Sequence, residues 1–310
     1  MPSRRRREPR LTDRFRTRST AMRNVLQTVE KVLDRDAPIL ILGESGSGKD
    51  SLAEAIHACS RRRDLPFVHI ECAAIPPDLF ESELFGYEKG TFTDAQARKL
   101  GKLELGQGGT VYFDDISSLS PALQAKLLRA LQEKSFTRLG GHQPIPFEAR
   151  VISSSSANLE AMLGSGEFRR DLFYRINVVT VTLPSLRQRP EDIPLLAAEF
   201  AGRRRKIDPE AMVLLQSHAW PGNIRELRNT IERALLAAEG QSLSAESLGL
   251  APQEMVAAAA RGRWTLDQLE ETYIREVLRE TRSNYSRAAE ILGINRKTLL
   301  EKRKKYGIDS

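Results

Sequence analysis

The stretch Gly43-Glu44-Ser45-Gly46-Ser47-Gly48-Lys49-Asp50 decides the fold class. It follows an apolar run at 38–42 (PILIL) and opens a segment, 49–59, whose apolar residues recur at helical spacing. A strand, a glycine-rich turn ending in lysine, and a helix form the context in which backbone N–H groups close around phosphate oxygens. The helix N-terminus adds partial positive charge, and Lys49 reaches for the outer phosphates. The Ser or Thr that commonly follows this lysine is Asp50 here. A glycine turn without a ligand is the plain alternative; spacing, lysine and flanking elements together argue against it.

Outward from the loop, short apolar runs at 67–70, 110–113, 149–152 and 178–183 alternate with helical segments at 22–32, 49–59 and 121–134. Such alternation predicts an α/β fold, a parallel sheet covered by helices on both faces. The run at 110–113 ends in Asp114-Asp115, which places two carboxylates at the carboxyl edge of that sheet. Beside a phosphate loop, one can hold Mg²⁺ and the other can orient or deprotonate an attacking water. After a polar hinge at 186–191 (LRQRPE), two or three helices run to about 239, broken by the Trp220-Pro221-Gly222-Asn223 turn.

Composition bounds the rest. The chain has 310 residues, 40% hydrophobic and 29% charged, which supplies a core and excludes a mainly disordered chain. No stretch approaches eighteen uninterrupted apolar residues, so a membrane-spanning helix is not expected. The arginine-rich N-terminus lacks the apolar run of a signal peptide. Cys59 and Cys72 are too few for a disulfide framework or a four-thiolate zinc site, and they suit a reducing cytoplasm. Of a net charge of +7, residues 1–18 carry +6 and residues 281–305 carry another +6, so the remainder is at −5. An acidic body with two basic ends suggests that the ends meet a polyanion, with nucleic acid the first candidate.

The second basic end has its own pattern. Leu266, Leu269, Tyr273, Ile274, Val277 and Leu278 lie at helical spacing; a second helix follows at 286–292, then Gly293. Asn295 is placed to cap a third helix at 296–305. Two helices joined by a glycine turn make a helix-turn-helix. Near the start of its last helix, Arg296, Lys297 and Thr298 are candidates for base contacts, and Lys302 and Arg303, with Lys304 and Lys305, for phosphates.

Three stretches together carry a family likeness: residues 43–50, Glu83-Leu84-Phe85-Gly86-Tyr87-Glu88-Lys89-Gly90-Thr91-Phe92-Thr93-Asp94-Ala95, and Trp220-Pro221-Gly222-Asn223-Ile224-Arg225-Glu226-Leu227. They resemble the central AAA+ domain of sigma-54-dependent transcription activators (bacterial enhancer-binding proteins) from about residue 19 to 239. The C-terminal unit is similar to the Fis-type DNA-binding domain that ends many of them. The resemblance implies a division into a basic disordered tail (1–18), an α/β nucleotide-binding subdomain (19–186), a helical lid (187–240), a linker (241–262) and a helix-turn-helix domain (263–310). It also implies a ring-shaped homo-oligomer, typically a hexamer, with ATP and Mg²⁺ between subunits, and a dimer on upstream promoter DNA. By motif position, Gly43 to Asp50 would bind ATP, Lys49 gripping phosphates, and Asp114 would serve Mg²⁺. Asp115 occupies the place of the catalytic glutamate. Arg169 and Arg175, in GEFRRDLFYR, sit where arginine fingers reach the neighbour's ATP. Arg225 matches the sensor arginine of the lid, and Ser155 and Ser156 the sensor position after the fourth strand. Thr91, Phe92 and Thr93 match the loop that contacts sigma-54 RNA polymerase, with Phe92 at its tip. An acidic residue after the lysine is ordinary in this family, which accounts for Asp50.

The departures fall on hydrolysis and its coupling. Asp115 is one methylene shorter than Glu, and reaction rates are sensitive to such placement. Ser155-Ser156 replaces Thr-Asn, and serine lacks the amide's donor and acceptor pair. Glu71 stands before Cys72 where Asn is common, and Thr91 and Asp94 replace Ala and Gly in the contact loop. Phe92 and the two finger arginines favour an ATP-driven activator that remodels sigma-54 polymerase. Asp94, Asp115 and Ser156 favour the alternative, a DNA-binding regulator that binds ATP as a switch. A third class, an AAA+ unfoldase, is disfavoured by the helix-turn-helix. Such proteins often carry an N-terminal sensory domain; with about eighteen residues before the AAA+ region, control would come from a regulator acting in trans, or the chain is part of a longer one.

Overall fold

The computed structural model describes residues 11–92, 95–202, 205–237, 242–250, 265–281 and 284–308. They fall into two compact units, 1–248 and 249–310. In the first, α1 (Leu11–Arg14) and α2 (Thr20–Glu30) precede β1 (Ile39–Leu42) and α3 (Lys49–Cys59). Next come β2 (Phe67–Glu71), α4 (Pro77–Phe85), the hairpin of β3 (Gly86–Tyr87) and β4 (Lys99–Leu100), and α5 (Lys102–Leu105). The α/β part ends with β5 (Thr110–Asp114), α6 (Pro121–Glu133), the hairpin of β6 (Ser135–Phe136) and β7 (Ile145–Pro146), β8 (Arg150–Ser155), α7 (Leu159–Ser165), α8 (Arg170–Ile176) and β9 (Val179–Thr182).

The five long strands form a parallel sheet in the order β2-β5-β8-β1-β9. Successive side chains of a strand point to opposite faces, so β1 feeds two cores. Leu40 joins Ile70, Phe113, Leu127 and Leu172 on one face. Ile39 and Ile41 join Leu26, Leu52, Ile56 and Tyr112 on the other. Each such buried aliphatic side chain contributes roughly 1.5–3 kcal/mol. This is the α/β architecture that the alternating pattern predicts. One strand runs further than its apolar residues suggest: β8 extends to Ser155 because Ser153, Ser154 and Ser155 pair in register with Leu40, Ile41 and Leu42. Three serines become buried strand because the central neighbour supplies their ladder.

The lid follows with two 3₁₀ turns, Leu186–Gln188 and Pro190–Asp192, then α9 (Ile193–Ala201), β10 (Lys206–Ile207), α10 (Pro209–Ser217), α11 (Asn223–Ala237) and β11 (Ser242–Leu243). Trp220 is fully buried and donates from Nε1 to the carbonyl of Leu215 at 2.8 Å, which makes it a packing residue.

Three segments differ from the sequence expectation. In place of a disordered tail up to residue 18, Leu11 is fully buried in a helix, Phe15 packs on the same core, and Thr17, Arg18 and Ser19 all donate to the carboxylate of Asp192. The polar hinge at 186–191 is docked: Leu186, Arg189 and Asp192 are buried because the polar groups find partners across the unit. The start of the expected linker belongs to the lid, since β11 pairs with β10 and Leu243 and Leu248 are buried. Residues 1–10, 251–264, and Thr93 and Asp94 lie outside the described residues.

The second unit holds α12 (Leu266–Glu280), α13 (Tyr285–Ile291) and α14 (Arg296–Lys305). Thr265 and Gln268 form a capping box at the start of α12, and Asn284 and Asn295 cap the next two helices. Ile274, Val277, Leu278, Ala288, Ala289, Leu299 and Ile308 make its core.

Candidate functional site

The phosphate loop sits at the carboxyl edge of β1. Lys49 is 7% exposed, and its Nζ donates to the carbonyls of Gly43 (3.0 Å) and Glu44 (3.1 Å). Burial holds its ammonium below the usual lysine value, against the pull of Asp114, Asp115 and Asp50. In these bonds the acceptor is a neutral carbonyl; a phosphate oxygen, itself charged, adds ion-pair attraction to the same ammonium.

Along the same edge the acidic residues converge. Asp114 accepts from Tyr112 Oη (3.0 Å) and Ser154 Oγ (2.6 Å), and Tyr112 Oη also lies 2.8 Å from Asp50 Oδ1. Burial pushes the Tyr112 phenol well above the usual tyrosine range, with the two carboxylates adding to it. Asp50, Asp114 and His69 bring one ligand atom each to within 4.8 Å of one another, a donor set that fits a divalent cation. Asp115 adopts a left-handed backbone, φ 54°, and its N–H donates to Ser154 Oγ at 2.9 Å. Its carboxylate accepts from Ser117 Oγ (2.6 Å), Ser156 Oγ (2.8 Å) and Ser156 N–H (3.3 Å). Burial raises the Asp115 carboxyl, but the bonds from Ser117 and Ser156 outweigh it, so the group titrates below the usual carboxylate range. Ser156 therefore meets Asp115 despite lacking an amide. Ser155 turns to Ala157 instead. Glu71 stands beside Asp114 in register on β2, exposed.

The lid closes on the loop. Arg225 Nη1 donates to Ser45 Oγ at 3.0 Å, so this candidate sensor residue touches the phosphate loop. Sequence reasoning missed the larger part of this contact. Asn223, fully buried, donates from Nδ2 to the Ser45 carbonyl (3.0 Å) and Glu44 Oε2 (3.1 Å) and accepts from Leu186 N–H (2.8 Å). Arg187 pairs with Glu44, and Arg189 donates to the Ser47 carbonyl at 2.7 Å. Ile224 N–H donates to the Gly46 carbonyl at 2.9 Å. No local signal marks Asn223, Arg187 or Arg189. Tyr112 and His69 did carry one: each stands two residues before an acidic strand end, hence on the same face.

The two finger candidates lie elsewhere. Arg169 is clamped by both oxygens of Asp171, and Arg175 donates to the Leu131 carbonyl at 2.7 Å. Among the described residues, neither touches 43–50. The contact loop is braced by the second hairpin. Thr91 Oγ1 donates within reach of the carbonyls of Glu88 (2.6 Å) and Leu139 (3.0 Å), bonds that Ala could not make. Arg138 joins Glu88 and Glu104 beneath it. Phe92 stays 44% exposed, its ring 4.8 Å from Tyr87 in an edge-to-face arrangement. Thr93 and Asp94 lie outside the described residues.

In the second unit, α14 sorts its charges. Arg296, Lys297 and Lys304 are exposed and have no partner among the described residues. Thr298 bonds the capping Asn295. Lys302 is tied to Glu270 and Lys305 to Asp267; Arg303 donates to the Ile308 carbonyl and lies over the Tyr285 ring. Lys302 and Arg303 thus brace the unit, whereas Arg296 and Lys297 stand free.

A parallel sheet with a phosphate loop at its edge and a helical lid on top is an AAA+ nucleotide-binding module. A family model described as the sigma-54 interaction domain matches residues 15–182, an AAA+ ATPase lid domain matches 187–263, and a bacterial regulatory protein of the Fis family matches 265–306. Regulatory protein AtoC of Escherichia coli is 43% identical over 311 residues, covering 94% of this chain and 68% of that protein. Transcriptional regulatory protein ZraR of Salmonella typhimurium is 44% identical, covering 92% and 67%. The crystal structure of NtrX from Brucella abortus in complex with ATP superposes with a TM-score of 0.70 at 37% identity, covering 97% of this chain and 71% of that one. The chain belongs to the sigma-54 interaction domain family and is an ATP-dependent, DNA-binding regulator of sigma-54 transcription. Nothing in these matches favours a regulator that binds ATP without acting on sigma-54. Among the described residues no helix is long and apolar enough to cross a membrane.

Proposed function

We propose that this chain works as a ring, with each ATP held between the loop Gly43–Asp50 of one subunit and Arg169 and Arg175 of the next. Lys49 binds the outer phosphates, and Asp114 with Asp50 holds the Mg²⁺ that neutralises phosphate charge. Asp115, kept ionised by Ser117 and Ser156, orients the attacking water and accepts its proton. Arg225 senses the nucleotide through Ser45. Thr91, Phe92 and Thr93 carry the movement to sigma-54 polymerase. Arg296, Lys297 and Thr298 read an upstream DNA site as part of a dimer, in the cytoplasm where the polymerase is. Lys302 and Arg303 hold the reading helix in place.

The observation that carries this reading is the division of charged groups around the sheet edge. Lys49, Asp50, Asp114, Asp115 and Arg225 converge there, while Arg169 and Arg175 remain outside with no role in their own site. A trans arginine that meets transition-state charge is worth orders of magnitude in rate. ATPase activity per subunit should therefore rise with protein concentration, and doping wild type with Arg175→Ala should depress it more than dilution does. Open-complex formation by sigma-54 polymerase on supercoiled promoter DNA should follow the same dose curve. Activity strictly linear in a monomer, unaffected by the doped variant, would sink the ring mechanism.

A further inference from the structure

We infer, on the reading of Gly43–Asp50 and Asp114 as the ATP and Mg²⁺ site, that Tyr112 is a positioning residue there: its phenolic hydroxyl sets the carboxylates of Asp50 and Asp114 for Mg²⁺ before nucleotide arrives.

Tyr112 and Asp114 are two residues apart on β5, so their side chains leave the same face of the sheet. Asp50 comes from a different element, as the second residue of α3. The Tyr112 hydroxyl joins the two, with Oη 2.8 Å from Asp50 Oδ1 and 3.0 Å from Asp114 Oδ1. It ties the end of the strand to the start of the helix at the edge where the phosphate loop opens. The hydroxyl is also held in place from behind. Tyr112 is fully buried in the core that contains Ile41 and Leu52. Its ring packs on those of Phe67 and His69 of β2, with centroids 6.3 and 4.9 Å away.

One proton serves two anions here. A phenol has a single O–H to donate, so it satisfies one carboxylate at a time while both stay close to its oxygen. Like charges held this near each other repel, most strongly where water is scarce, and a dication removes that repulsion. An aromatic ring without a hydroxyl would fill the same core space and draw no carboxylates together. Ser154 Oγ donates to the same Asp114 oxygen at 2.6 Å. A hydroxyl therefore pins Oδ1 of each carboxylate. Among the described residues nothing donates to Oδ2 of Asp50 or of Asp114, which leaves one oxygen of each for the cation or its waters. Mg²⁺ suits such a site, since it takes one or two carboxylates and keeps several waters. Outer hydrogen-bond partners fix the orientation of metal-binding carboxylates, and their loss typically costs about 10- to 100-fold in metal affinity or activity.

The test compares the full wild-type chain with Tyr112→Phe, which removes Oη and keeps the ring. ATP affinity is measured by fluorescence titration twice, once with excess Mg²⁺ and once with a chelator; the ratio of the two is what the metal adds. In Tyr112→Phe that ratio should fall about tenfold or more, with the metal-free affinity unchanged, which also shows the fold intact. A hydroxyl that only packs would leave the ratio where it is, whatever it did to stability, and that result overturns the inference. Equal losses with and without Mg²⁺ overturn it too. Asp50→Asn gives a second check. If the hydroxyl acts through this carboxylate, the losses from Asp50→Asn and Tyr112→Phe should be less than additive in the double variant; strict additivity overturns the inference. A wild type that binds no ATP, or binds it equally with and without Mg²⁺, overturns the underlying site reading. A wild-type ratio that Tyr112→Phe preserves overturns the role of Tyr112 alone.

Discussion

Asp115 accepts three hydrogen bonds at the edge of the sheet, and Asn223, Arg225 and Arg189 of the lid tie down the phosphate loop. On α14, Arg296, Lys297 and Lys304 stand in solvent with no partner among the described residues. The contrast follows the chemistry of the two ligands. A reacting phosphate needs groups whose geometry is set before it arrives, because reorganisation at the moment of reaction is what preorganised sites avoid. A DNA backbone instead needs mobile cations that release counterions when they meet phosphates. The candidate nucleotide site is therefore built from contacts spanning most of the first unit, and the proposed DNA-reading surface from one helix and its cap.

Removing one region while sparing the other breaks the comparison most directly. Deleting 281–310 should abolish sequence-specific DNA binding, a loss of roughly 10³-fold or more relative to non-specific binding, with ATP affinity unchanged. Footprinting of the deletion decides this; protection of the same site would place specificity elsewhere in the chain. Lys49→Ala is the reciprocal change. Loss of its charge-assisted bonds should weaken ATP about 10- to 100-fold in a fluorescence titration, and the footprint should stay.

Within α14 the contrast between free and braced charges can be sharpened. Arg296→Ala should cost about 1–3 kcal/mol on the preferred sequence and relax base preference. Lys304→Ala should weaken all sequences about equally and lower the salt slope by about 1. Lys302→Ala acts mainly on stability, since it releases Glu270 rather than a free cation; equal loss of base preference in Arg296→Ala and Lys302→Ala would erase the distinction.

The smallest effect lies at Asp115. Its carboxyl is held low by hydrogen bonds to the ionised form, so Ser156→Ala should raise it and move the acid limb of the ATPase pH profile upward. The linked stability is present above the unfolded carboxylate value and is lost as pH falls through the depressed folded one. The variant should lose its share at a higher pH than wild type does. An unmoved acid limb would remove Ser156 from the site.

Much of the nucleotide edge was legible because its signals are local. Gly43 to Lys49 are contiguous, Asp114-Asp115 end one apolar run, and Asn295 precedes the helix it caps. The unread part depends on distance along the chain. Asn223 meets Ser45 across 178 residues and Arg189 meets Ser47 across 142, and a buried amide or guanidinium has no periodicity to announce it. Residues 11–18 misled for a related reason. Their arginines dominate the composition, while two apolar side chains, Leu11 and Phe15, and one distant acceptor, Asp192, hold the segment down. The serines at 153–155 hide a strand because their partner, not their own propensity, makes it.

Where lid and phosphate loop meet, a Cβ on Gly46 would lie 2.4 Å from the Gly222 carbonyl, and Ile224 N–H reaches back to Gly46. That clearance governs how such proteins can be recombined. A lid taken from a relative can be grafted onto this sheet only if it carries a turn shaped like Trp220-Pro221-Gly222-Asn223, with the carbonyl of its third residue at the same height. Exchange points inside 183–222 would separate parts that have zero tolerance between them. Crossovers placed beyond Leu248, past the last buried residue of the unit, leave that fit intact, so shuffled regulators should gain new DNA addresses far more readily than new lids.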